Sequence, residues 1–516
     1  MEKPPTLNRQ LAANLKAAKV RQSHLDSQRE QEAKVHVVGA GATITAGYEQ
    51  LRNAAEHAEE NVLLQRAIRR FYRRLFLSRD PKQAASSGEE LITELTLAGY
   101  LANDSVPLSV IDHIGESASA YFNVYLSLDW RNDHRDAWTL DVLSVEVESM
   151  LSDYLKHDVF IDFAYNYFLE FFEDDTKKKS TENHDVSVFI AVHRALLKSD
   201  PARIRWTLLQ RYKQTPSEFA SYTKTNALID TLIESDETDR LFRIVNRQGA
   251  PFRVLWQMIE NHEDLEQLLG SREQFLSAYE AQIETTYTSI SKKITKGIVK
   301  SVIFLFITKV VIGVLIEVPY DIFIHGAIVW LPLAINLLFP PLYMVLLSNT
   351  LLLPGHANTV ALTDKIDTLL YDSGNKANLT ARQRTGSYGL PYKVAYTIFI
   401  LLVIGAATLG LYKLGFSVLH LVIFFIFLST ASFLGFSLSR LVREVEAIDS
   451  YQGGVTMIRD FLYMPFVMIG RWMSEKYAKI NLVASVLDMV IELPLKTVLK
   501  LVRQWGAFMS DQKDRL

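Results

Sequence analysis

The side chains best able to do chemistry in this chain are its histidines and acids, plus a few polar groups set inside apolar runs. Asp112-His113 with Glu116, and Glu182-x-His184-Asp185, place acids beside an imidazole. General acid–base catalysis or a metal ion would need that pairing. Both clusters sit at polar helix ends or in loops and are read as solvated groups. None of the 12 histidines has a glutamate three residues before it, so the Glu-x-x-His pattern of dimetal bundles is absent. There is no His-Glu-x-x-His, no Gly-x-Ser-x-Gly and no P-loop. Gly39 and Gly41 follow a β-like run in VHVVGAGATITAG, but the third glycine of a dinucleotide fingerprint is replaced by Ile44. That stretch reads as a small-residue linker. Cysteine is absent, which excludes disulfides, zinc-thiolate sites, iron–sulfur clusters and cysteine nucleophiles. No catalytic, cofactor-binding or metal-ligating residue is assigned, and the expectation is a protein that is not an enzyme and carries no cofactor.

Polar groups inside apolar runs are the remaining candidates. Lys309 lies within the apolar stretch Ile298 to Ile316. A charge near mid-membrane costs about 2.5–3.5 kcal/mol on insertion scales. It is either a buried cation in a solute or ion path, or a lysine that snorkels outward or stacks on Trp330; the second reading is preferred. Asn336 shares the next run with Pro332, Pro340 and Pro341. Those prolines read as kinks.

A second group is basic. The helix predicted from Tyr48 to Leu77 carries Arg66, Arg69, Arg70, Arg73 and Arg74 in its second half, beside an apolar face of Leu64, Ile68, Phe71 and Leu75. Clustered arginines suit anionic lipid or nucleic acid. The chain as a whole is not basic, with 55 basic against 58 acidic residues and net charge −3. The arginines are therefore read as a solvated face paired with acidic neighbours, and no specific nucleic acid is expected. The start of this helix, YEQLRNAAEHAEENVLLQRAIRRF, resembles the opening helix of large uncharacterised membrane proteins from ultra-small, reduced-genome bacteria. The resemblance implies a bacterial plasma membrane and supplies no functional residues.

These residues need elements to position them. Two apolar runs, Ile298 to Ile316 and Ile322 to about Leu353, are separated only by Glu317-Val318-Pro319-Tyr320-Asp321. A spanning helix needs about 20 apolar residues. Pro319 and the two acids predict a tight turn there. A second pair follows, Val394 to Tyr412 and Val418 to Leu438, each with small residues for close packing: Gly405, Ala406, Ala407 and Gly410, then Ser429, Ala431, Ser432 and Gly435. Lysines and arginines flank the ends away from both turns: Lys292, Lys293, Lys296 and Lys300, then Lys365, Lys376, Arg382, Arg384 and Lys393, then Arg440 and Arg443. The positive-inside rule then places both termini in the cytoplasm and Glu317 and Asp321 outside.

Before the first run, periodic apolar segments with helix-start signals predict a soluble all-helical domain. The signals are Ser87-x-x-Glu90, Ser271-x-x-Gln274, Asp200-Pro201 and Thr215-Pro216-x-Glu218. After the last run, Met457 to Ile469 is short and holds Pro465, while Ile480 to Val502 carries a polar stripe of Asn481, Ser485, Asp488, Glu492, Lys496, Lys500 and Arg503. Such a stripe suits a helix lying in the interface, with a fifth span as the alternative.

The expected fold is all-α: a cytoplasmic helical domain followed by a four-span α-helical membrane domain and an interfacial amphipathic C-terminal region. The expected boundaries are a flexible arm 1–46, a soluble domain 47–290, hairpin 291–353, a cytoplasmic loop 354–393, hairpin 394–440 and the amphipathic region 441–516. The expected function is that of a non-enzymatic, membrane-anchored interaction or scaffold protein with a lipid bilayer and an unidentified protein as partners. A small-solute or ion transporter or channel is the alternative, and a membrane enzyme acting on lipid-linked substrates a second one.

Overall fold

A computed structural model describes residues 7–37, 45–47, 49, 62–129, 131–152, 154–175, 183–351, 353–372, 390–447 and 454–479. These residues are almost entirely helical, and the only β-type pairing among them is an isolated bridge between Lys34 and Pro107. Four helices are long and apolar enough to cross a membrane. The segment Ile480 to Val502 with its polar stripe, expected as a helix, and most of Tyr48 to Gln65 with the resemblance it carries, fall outside the described residues. Contacts group the chain into two compact units, one covering residues 10–245 and the other residues 246–480 with residues 1–9.

In the first unit the segment expected to be a loose arm is instead a helix, Leu7–Glu30. Leu11, Leu15 and Ala18 repeat at helical spacing and are buried, and Arg29 donates to the Met150 carbonyl at 3.1 Å. Asp200-Pro201 starts its helix as expected: the Asp200 carboxylate accepts from the Arg203 N–H at 2.9 Å and proline fills the first turn. Asp80-Pro81 repeats the device. Ser87 and Ser271 do not cap with their side chains. Ser87 sits one residue inside its helix and donates to Ala84. Thr215 to Glu218 forms a turn, so the helix begins only at Phe219. The apolar period from Ala227 to Asn246 is broken at Ser235, whose hydroxyl accepts from the Thr238 N–H at 3.1 Å and restarts the helix at Asp236. The interior combines an aromatic cluster, with Phe76 and Phe122 rings 5.1 Å apart, and buried ion pairs. Arg203 pairs with Glu148 and donates to the Tyr154 hydroxyl at 2.8 Å. Arg205 pairs with Asp230, which also accepts from Trp138 Nε1 at 2.8 Å.

In the second unit the first apolar helix is continuous from Arg272 to His325. This corrects the tight turn expected at residues 317–321. Proline lacks the N–H that an α-helix needs for its i−4 bond. Here the helix widens into one π turn, Gly313–Glu317, in which the Val318 N–H reaches the Gly313 carbonyl. Pro319 then falls in the first turn of Val318–His325. The true stop is Gly326, left-handed at φ +72, with its N–H on the Ile322 carbonyl.

The second apolar helix, Trp330–Ser348, runs through Pro340 and Pro341. The fourth, Val418–Arg443, packs against both the first and the second. Leu305, Met344, Ile423, Phe427 and Ala431 form their shared core. Gly435 lies so close to the Leu347 side chain that a Cβ would overlap it. The third apolar helix, Val394–Lys413, buries none of its apolar window. A further helix, Gly454–Lys479, passes through Pro465 without breaking and lies along the fourth. Gly470 abuts the Ser429 backbone there, and Phe466 stacks on Phe425 at 6.2 Å.

The segment 354–393, expected as a loop, contains the helix His356–Tyr371, because Leu362, Ile366 and Leu370 recur on one face and are buried. Its Asn358 grips the end of the fourth apolar helix, donating to Val445 O at 2.8 Å and accepting from Ala447 N at 2.7 Å. Lys365 donates to Ala447 O and Arg253 to Glu444 O, each at 2.7 Å. Burial pushes the Arg253 guanidinium down to about 10.

Candidate functional site

The continuous first helix carries a set of polar side chains into the interior of the apolar bundle. In a helix, residues four apart share a face, so Glu317 and Asp321 point the same way. The π turn inserts one extra residue between Lys309 and Glu317. Their spacing of eight therefore acts like seven on a plain helix, which is two turns on the same side. Lys309 pairs with Glu317, and Lys309 is 1% exposed while Glu317, Asp321, Asn336 and His420 are 0% exposed. By helical rise, Lys309 stands about 24 Å along the axis from His325, well inside the apolar layer.

Asn336, on the second apolar helix, joins the pair. Its amide donates to Glu317 Oε1 at 3.3 Å and to the His420 carbonyl at 3.2 Å. The fourth helix delivers His420 through its own cap: Ser417 Oγ accepts from the His420 N–H at 3.4 Å and lies 2.9 Å from Nδ1. His420 Nε2 stands 3.5 Å from Asp321 Oδ1. The other Asp321 oxygen accepts from the Val329 N–H at 3.0 Å, tying the carboxylate to the turn after Gly326. Aromatic rings close the sides. Phe427 lies 5.1 Å from the Lys309 ammonium, and Tyr320 and Phe416 set their rings edge-on to His420. Away from the turn, Tyr343 OH and Ser432 Oγ meet at 3.1 Å.

Four polar atoms of this network have no hydrogen-bond partner among the described residues: Glu317 Oε2, Asp321 Oδ1, Asn336 Oδ1 and His420 Nε2. A buried polar atom without a partner costs about 1–3 kcal/mol, more when charged. Two carboxylates, an imidazole and an ammonium thus sit in one enclosed string with spare bonding capacity. Such a string can take up, hold and pass a proton or accommodate a small polar guest.

The sequence candidates divide accordingly. Lys309 and Asn336 are brought together through Glu317. The expected stacking of Lys309 on Trp330 does not occur: Trp330 is 70% exposed at the start of its helix, and the ring beside the ammonium is Phe427. Glu317 and Asp321, expected in an outer turn, are inside the bundle. His420 stands in an apolar run with no acid near it in sequence, so no local signal marks it. The readable signal was Gly326, a better helix stop than Pro319, which would have kept both acids in the helix.

On Leu63–Leu77, Arg69 pairs with Asp141, Arg70 with Glu49 at 2.6 Å, and Arg74 with both Glu94 oxygens at 2.8 Å. Arg66 and Arg73 are exposed. Of the acid–His clusters, His113 and Glu116 are exposed and 3.5 Å apart, while His184 turns to Glu237 at 2.7 Å. Among the described residues no group of three His, Asp or Glu is placed to hold a metal ion. No family model, curated protein or solved structure matches this chain.

Proposed function

We propose that residues 246–480 form a membrane transport unit for an ion or small solute, along the interface of the first, second and fourth apolar helices. The observation that carries this reading is the fully buried Lys309–Glu317 pair with Asn336, inside helices apolar enough to cross a bilayer. Ionisable groups at such depth are costly, and where they occur they mark ion paths and proton relays. The chemistry is non-enzymatic on this reading. The flanking lysines support a reading with both termini in the cytoplasm, and the resemblance carried by residues 48–71 is what suggests a bacterial plasma membrane. Purified protein in liposomes should move ions or a polar solute, and Lys309→Ala and Glu317→Gln should abolish the movement. Flux equal to that of empty liposomes in the intact protein refutes the proposal.

A second role belongs to residues 10–245, as a cytoplasmic helical domain that binds a protein partner. Its support is that these residues form a compact helical unit of their own, apart from the four apolar helices. With three of its clustered arginines committed to carboxylates, the surface fits a protein better than nucleic acid. Crosslinking in cells followed by mass spectrometry tests it, and the absence of any crosslink from this domain to another chain counts against it.

A further inference from the structure

We propose that the turn end of this site binds a proton between His420 Nε2 and Asp321 Oδ1, which makes the proton the species moved or the species that drives movement. This inference rests on the transport reading above and names its ion.

His420 Nε2 and Asp321 Oδ1 face each other at 3.5 Å, both fully buried, and neither bonds to anything else described. Each other polar atom of these two side chains is already engaged: His420 Nδ1 with Ser417 Oγ, and Asp321 Oδ2 with the Val329 N–H. In the tautomer whose hydrogen lies on Nδ1, toward Ser417 Oγ, these two atoms are both acceptors, and a proton taken up on Nε2 joins them in a charge-assisted bond. A hard divalent cation would want about six or more oxygens. The unpartnered oxygens of the network are Glu317 Oε2, Asp321 Oδ1 and Asn336 Oδ1, and the Lys309 ammonium already occupies one carboxylate of that set.

The nearest charges to the dyad are Glu317 and Lys309, which are paired with each other. From the first helix come Tyr320, edge-on to His420 at 6.4 Å, His325 against Tyr320, and Glu317 one turn further in, with Lys309 beyond it. The second helix contributes only the neutral Asn336. The fourth contributes Ser417 and Phe416 beside His420. Lys413, the last residue of the third apolar helix, is exposed.

The steps conserve protons. Hydronium on the turn side gives a proton to Nε2 and leaves water, forming an imidazolium that donates to Asp321 Oδ1. Transfer to Oδ1 breaks the N–H bond, forms an O–H bond and leaves two neutral groups. Glu317 lies one turn away on the same face and is the next acceptor. When its carboxylate becomes neutral, the Lys309 ion pair dissolves. Proton arrival at the turn end is thereby coupled to release of a cation-bearing side chain at mid-helix.

The test uses the full chain in lipid nanodiscs with 15N-labelled histidine. The His420 resonance is assigned by its loss in His420→Gln. The expected result is an imidazolium signal for His420 at about pH 5 that is lost at the same pH in Asp321→Asn and retained in Asp321→Glu. A His420 that stays neutral in the intact protein, or is equally charged in Asp321→Asn, overturns the proposal. In liposomes, an imposed pH gradient should drive proton flux in the intact protein and none in His420→Gln. Flux of sodium or potassium that ignores both the gradient and His420→Gln overturns the proton assignment and leaves transport standing. Absence of every flux overturns transport, and the resonance alone then decides whether the dyad binds its proton.

Discussion

Removing the Lys309 ammonium tests the energetic core of this molecule most directly. Lys309→Met keeps most of the side-chain volume and its contact with Phe427, and deletes the partner of Glu317. Glu317 is then left fully buried with one Asn336 amide at 3.3 Å on Oε1 and nothing on Oε2. Breaking a buried pair in this way costs about 3–5 kcal/mol, because the surviving charge is uncompensated. Glu317→Gln should cost a comparable amount for the opposite reason, a stranded ammonium. The double variant strands neither, so its loss should fall short of the sum of the singles by about 2 kcal/mol or more. At about 2–4 °C per kcal/mol for a unit of this size, each single variant should unfold roughly 6–20 °C earlier. The assay is thermal unfolding of the purified chain in one detergent, with all four members of the cycle side by side. Strict additivity, or singles within about 0.5 kcal/mol of the intact protein, would show that the pair does not carry the packing of the first helix.

Three further outcomes follow from other parts of the fold. The chain lacks cysteine, so an introduced Ala327→Cys should react with an impermeant maleimide from outside the cell while Tyr320→Cys does not; equal labelling of both would restore the turn at Pro319. Gly470→Val drives a side chain into the Ser429 backbone and should cost about 1–3 kcal/mol of thermal stability, whereas Gly405→Ala, with nothing within 4 Å, should be neutral or slightly stabilising. Burial, helped by nearby His157 and Arg203, pushes the His193 imidazole well below its ordinary value. With its folded value depressed, the stability this residue contributes is fully present above about pH 6.5 and is lost as pH falls through the folded value. His193→Gln should flatten that part of the acid limb in a denaturation series, and an unchanged slope would assign it elsewhere. Glu148, raised by burial, acts with the opposite sign: its contribution is present below the ordinary carboxylate value and is lost as pH rises through the folded one.

What the sequence by itself determined is the helical class, the four apolar helices and the charge bias at their ends. These depend on composition and on a period that every residue reports locally. Asp200-Pro201 was legible for the same reason, since a cap acts within three residues. Tertiary structure alone decided where the first hairpin turns and what its acids do. Pro319 stops a helix in most local contexts, but a π turn absorbs its missing bond here, and Gly326 does the stopping. Local rules also placed Glu317 and Asp321 in water, because an isolated charge avoids an apolar layer. They are buried because Lys309, Asn336 and His420 meet them from the same helix two turns away and from two others. His420 is about a hundred residues further along the chain, so no window of sequence contains the partner that Asp321 faces. The meeting of those groups is a product of packing, and it gives a chain that reads as an anchor a buried network of acids, lysine, asparagine and histidine.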